Sequence, residues 1–134
     1  MADTSPAPLK ERPLSPHLEI YKPIPTMVMS ILHRVTGAAL YVGTVLIAWW
    51  VIAAAAGPDA YETANWWFTS ILGKLVLFGY TFALIHHMLG GIKHLVQDTG
   101  RGLEKDFTTM IAKAHPIASI ALTVLIWLVA ALAF

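Results

Sequence analysis

The chain has no cysteine. Disulfides, thiolate nucleophiles and cysteine-ligated iron–sulfur clusters are therefore excluded from it. If electrons cross this protein, partners must deliver them or a cofactor held without thiolates must carry them. The glycines do not fall into GxGxxG or GxxxxGK[ST] spacing, so neither nucleotide-binding motif is present. Charge is scarce as well. Asp, Glu, Lys and Arg make up 13 % of the residues, about half the share usual in a soluble domain. No acidic residue interrupts the long apolar runs, which argues against a small transporter with an intramembrane proton path. No internal repeat is present.

What the chain has in abundance is hydrocarbon: 57 % of its residues are apolar. Three runs stand out, at roughly 27–56, 66–97 and 114–134. Each is near or above the roughly 20 residues that cross about 30 Å of bilayer core. A soluble bundle of such helices would lack the polar surface to cover itself. The expectation is an all-α membrane protein with three transmembrane helices. Residues 1–26 are expected to form a segment outside the membrane, available to partner subunits, and 27–134 a three-helix membrane unit. The first segment is rich in proline, holds acids, has one Arg and lacks an apolar h-region. It reads as neither a secretory signal nor a mitochondrial presequence.

Basic residues set the orientation. Lys10, Arg12, Lys22 and Arg34 lie before or at the start of the first span. The first loop, about 57–65, carries Asp59 and Glu62 and no base. Arg101, Lys105 and Lys113 lie in the second loop, with Lys93 just before it. The positive-inside rule puts the N-terminus and second loop in the cytoplasm and the C-terminus in the periplasm. Trp49, Trp50, Trp66 and Trp67 then form an aromatic belt at the outer interface. Lys74 snorkels outward.

The most informative stretch is Ser30-Ile31-Leu32-His33-Arg34-Val35-Thr36-Gly37. It sets a hydroxyl, an imidazole and a guanidinium at the mouth of an apolar span. Arginine is costly near hydrocarbon and is usually kept for a charged or polar partner. Ser30 lies four residues before Arg34, so on a helix they share a face. Ser30 also has a plainer reading, as the N-cap of the first span.

Span two carries His86, His87 and His94, with Gly91 between the last two. His87 and His94 are seven residues apart, two helical turns on one face, about 10.5 Å of rise. That is too far for both to bind one ion. It suits an axial ligand at His87 and a second polar contact at His94, with Gly91 admitting a flat macrocycle. His86, about 100° round the helix, is the alternative ligand or a polar contact to a neighbouring helix. Haem b with two axial histidines needs one on each face of the iron. One helix cannot supply both, so a second subunit is the better source. His33 and Arg34 are placed to meet propionate carboxylates. His17 and His115 lie outside the apolar cores and read as solvated or at a protein contact.

Three blocks together resemble the cytochrome b556 membrane-anchor subunit of succinate dehydrogenase, in its mitochondrial and alphaproteobacterial branch. They are Arg12-Pro13-Leu14-Ser15-Pro16-His17-Leu18-Glu19-Ile20-Tyr21, the Ser30–Gly37 stretch, and His87-Met88-Leu89-Gly90-Gly91-Ile92-Lys93-His94 running on to Asp98-Thr99-Gly100. The resemblance implies a complex of a flavoprotein that oxidises succinate, an iron–sulfur subunit and two membrane anchors, in the bacterial inner membrane. Nucleic acid is not among the expected partners. Haem b would lie between the anchors, with His87 as this chain's iron ligand and His33, Arg34 and His94 toward the propionates. Ser30 and Arg34 would help form the site where ubiquinone is reduced. Two positions depart from the family pattern: Lys93 stands where arginine is usual, and Gln97 where an aromatic residue or Met is usual. Lysine keeps the charge but loses the bidentate fork.

Overall fold

A computed structural model describes residues 12, 13, 15, 17 and 21–133. Most of the N-terminal block, and most of the segment expected to meet partner subunits, lies outside the described residues. Four helices follow one another: α1 (Pro25–Ala56), α2 (Pro58–Thr69), α3 (Ile71–Asp98) and α4 (Lys105–Ala133). Three of them, α1, α3 and α4, are long and apolar enough to cross a membrane.

The boundaries have local causes. Proline occupies the first turn of α1 and of α2, where its missing N–H costs nothing. Gly57 separates these helices with φ +125°, a conformation open to residues without a Cβ. Ser70 then caps α3, its hydroxyl accepting the Gly73 N–H at 3.0 Å. The turn between α3 and α4 passes through Gly100 and Gly102, both at positive φ.

Three expectations are corrected here. The stretch 57–65, expected as a loop, is helical, and the second long helix starts at Ile71, with Trp66 and Trp67 in α2. The apolar run is continuous across Ser70, so hydropathy alone did not reveal the break that the Ser70 cap makes. The third helix starts at Lys105, well before 114. It continues through Pro116, whose missing N–H breaks one backbone bond but not the helix. Ser30 also proves not to be a cap, because α1 begins at Pro25 with Ile24 as its N-cap.

The central helix is α3, packed against both α1 and α4, which touch each other less. Small and polar residues fill the seams: Gly43, Ala83, Gly90, Ala112, Ser119 and Thr123 are buried. Most large apolar side chains point outward, among them Leu75, Leu84, Ile117 and Leu132. This is the arrangement of a bilayer protein, where close backbone approach and interhelical hydrogen bonds hold helices together and apolar side chains meet lipid or partners. At one end, Trp49 packs against Trp67 and Phe68, with centroids 6.1 and 5.7 Å away.

Candidate functional site

The histidines collect where α1, α3 and α4 converge. His33 on α1 and His87 on α3 are stacked, ring centroids 4.0 Å apart and planes within 10°. Each ring bonds the other residue's backbone. The His33 Nε2–H donates to the His87 carbonyl at 3.2 Å, and the His87 Nδ1–H donates to the His33 carbonyl at 3.1 Å. Carbonyls only accept, so these two bonds define both tautomers. His87 is left with Nε2 as the nitrogen carrying a free lone pair.

Two glycines allow this packing. A Cβ at Gly37 would lie 2.9 Å from Cε1 of His87, and a Cβ at Gly90 would collide with the His33 ring. Gly91, where a close approach was anticipated, opens onto free space, with nothing within 4 Å of its Cβ position. Thus Gly90 serves the contact inside the chain, while Gly91 leaves a flat patch one turn from His87.

Ser30, His33, Lys93, His94 and His115 border a cavity of about 40 Å³, room for one or two waters. His94 is exposed and meets His33 edge-on at 5.4 Å. Arg34 is exposed and does not border this cavity. The structure therefore brings Ser30, His33, His87 and His94 into one neighbourhood and leaves Arg34 facing outward on α1. Gln97, one of the departures from the family pattern, ties the α3–α4 turn, where its amide donates to the Gly102 carbonyl at 3.3 Å.

A second cluster lies where α3 meets α4. His86 is fully buried, and its Nδ1 lies 3.2 Å from Oγ of Ser119. That hydroxyl donates to the His115 carbonyl at 2.9 Å, so it accepts from the His86 Nδ1–H. His115 in turn donates from Nε2 to the His86 carbonyl at 3.0 Å. The Nε2 of His86 has no partner. Of the two readings of His115, solvated or at a protein contact, the solvated one is corrected: it is buried, 7 % exposed, against α3. The signal was present in sequence, since His115, Ser119 and Thr123 repeat every four residues and form one polar stripe on a helix. For His86, the polar contact to a neighbouring helix is what forms.

Among the described residues, no group of three or more His, Cys, Asp or Glu is arranged to hold a metal ion. The histidine centre thus offers single imidazole nitrogens rather than a closed cage. The class of protein is a multi-pass helical membrane protein with an interhelical histidine centre.

Residues 8–132 match the model of the succinate dehydrogenase/fumarate reductase transmembrane subunit family, and the chain belongs to that family. It is 43 % identical over 114 residues to the succinate dehydrogenase cytochrome b556 subunit of Paracoccus denitrificans, covering 85 % of this chain and 88 % of that one. The cytochrome b556 subunit of Rickettsia bellii is 36 % identical over 117 residues, covering 87 % and 91 %. The mitochondrial cytochrome b560 subunit of Sus scrofa is 40 % identical over 97 residues, covering 69 % of this chain and 56 % of its own length.

Proposed function

We propose that this chain is a haem b-binding membrane anchor of a succinate:quinone oxidoreductase and that it helps form the quinone-reduction site. The observation that carries the reading is the His87 Nδ1–H bond to the His33 carbonyl. A ligating histidine characteristically has its other ring N–H fixed in this way, which sets the tautomer and raises ligand basicity. The donor set suits haem: one lone pair at His87, a bare patch at Gly91, and Arg34 and His94 nearby as donors for two carboxylates, while the His33 N–H is engaged on the His87 carbonyl. Held by His87 and by a histidine of a second anchor, haem would supply a one-electron store. His86 and His115 are the other imidazoles with ligand chemistry. Both are enclosed between α3 and α4, so a macrocycle would have to separate those helices to reach them.

Ser30 and Arg34 serve the quinone. Reduction builds negative charge on the carbonyl oxygens; the Ser30 hydroxyl donates to one, and the Arg34 guanidinium stabilises the charge. The cavity beside Ser30 is too small for a quinone ring. The headgroup therefore sits on the outer surface of α1, where Ser30 and Arg34 are exposed, and the iron–sulfur subunit and second anchor cover it. The flavoprotein completes the complex. The N-terminus and the α3–α4 turn face the cytoplasm of a bacterium, and the C-terminus faces the periplasm.

The test is the reduced-minus-oxidised absorption spectrum of the purified complex. A b-type band lost in His87→Ala and kept in His86→Ala is the expected result. A complex without such a band would make the chain a haem-free structural anchor.

A further inference from the structure

The carbonyls of His86 and His87 are successive groups in the middle of α3, and each accepts a side-chain donor from a different helix. His33 of α1 reaches the His87 carbonyl at 3.2 Å, and His115 of α4 reaches the His86 carbonyl at 3.0 Å. Mid-helix carbonyls ordinarily have only the N–H four residues on as a partner. Side-chain donors from two different helices on successive carbonyls, which project about 100° apart, resist rotation of α3 about its axis. The α4 half is itself braced. Ser119 holds the His115 carbonyl at 2.9 Å and the His86 ring at 3.2 Å, and Thr123 donates to the Ser119 carbonyl at 2.7 Å. His86, His115, Ser119 and Thr123 are all buried, so water does not compete for these bonds.

We propose that His115 and Ser119 of α4 are positioning residues that set the rotation of α3 and so orient the imidazole plane of His87. Neither touches the cofactor on this assignment; they act through the backbone of residue 86 and the ring of His86. The proposal rests on His87 being the axial ligand. An imidazole stands about 5–6 Å from its helix axis, so a rotation of about 15° displaces it by roughly 1.5 Å. Such a displacement changes how the ring meets the iron before it breaks the bond. The lock also gives the fully enclosed His86, one of whose nitrogens is unpaired, a structural role: its ring is the strut between α3 and Ser119.

The experiment uses the complete four-subunit complex carrying His115→Phe, His115→Gln or Ser119→Ala, with the outward-facing Ile120→Ala of α4 as control. Each is read by the low-temperature electron paramagnetic resonance of the oxidised haem and by its midpoint potential. Those signals follow the relative orientation of the axial imidazole planes and do not depend on turnover. His115→Phe and Ser119→Ala should shift the low-field signal and the potential while haem per flavin stays at the unsubstituted level. His115→Gln, whose amide reaches the same carbonyl, should return both toward the original values. Unchanged signal and potential at full haem content would overturn the proposal. So would loss of haem in both variants with an unaltered signal from what remains, because that pattern marks packing alone. Absence of any haem band dependent on His87 in the unsubstituted complex would instead remove the reading beneath it.

Discussion

His33 and His87 lie face to face across the α1–α3 seam, 4.0 Å apart, each donating a ring N–H to the other's backbone carbonyl. This reciprocal arrangement joins two of the three sequence blocks that carry the family likeness. It also makes the imidazole of His87 dependent on the position of α1. Anything that alters the His33 backbone is felt at His87, and the reverse holds through the His87 carbonyl.

The adjacent glycines of α3 should separate under substitution. Gly90→Ala drives a methyl group into the His33 ring, an overpacking cost of about 1–3 kcal/mol. Gly91→Ala meets nothing within the chain, and Ala for Gly favours a helix by roughly 0.5–1 kcal/mol. The expected outcome is a lower unfolding midpoint for Gly90→Ala. Gly91→Ala should keep or raise that midpoint but lower haem per complex, as measured by pyridine haemochrome. Full haem content in Gly91→Ala would remove the macrocycle from that face.

His86→Phe should be nearly neutral for stability. The substitution loses the bond to Ser119, worth about 0.5–1.5 kcal/mol, but also removes a buried acceptor with no partner, which costs about 1–3 kcal/mol to keep. The phenyl ring keeps most of the packing. Thermal unfolding should change little, and the absorption band should survive. Loss of the band would assign the iron to His86.

Ser30→Ala and Arg34→Leu should lower quinone-linked turnover and spare succinate oxidation with an artificial acceptor, since the proposed assembly puts the flavin site on another subunit. Leaving a quinone carbonyl unpaired costs about 1–3 kcal/mol. Arg34→Leu removes charge as well and should show the larger effect. The ratio of the two activities in fully assembled complex is the measurement. A ratio equal to that of the unsubstituted complex in both variants would reduce these residues to helix surface.

The sidedness is open to a direct check because the chain has no cysteine of its own. Ala60 in α2 and Lys105 at the start of α4 are both exposed. Single cysteines at these positions should react with an impermeant maleimide from opposite faces of the membrane. Reaction from one face alone would reject the proposed topology.

Hydropathy and helical periodicity are local quantities, and they were enough for three long apolar helices, for the Ser30–Gly37 stretch and for the shared face of His87, Gly91 and His94. The family, too, was legible from three short blocks in order. The α2 helix escaped because its apolar end runs without a compositional break into α3; a single serine hydroxyl on the Gly73 N–H makes the division. His115 was misplaced because its neighbours Lys113 and Pro116 look like loop, although the spacing to Ser119 and Thr123 pointed inward. The contact of His33 with His87, the choice of Gly90 over Gly91 as the inner notch, and the bonds from two helices on the carbonyls of residues 86 and 87 were decided only by tertiary structure. Which groups meet between helices depends on each helix's rotation and vertical offset. Those two variables are set by packing across the seams, and no stretch of sequence contains them alone.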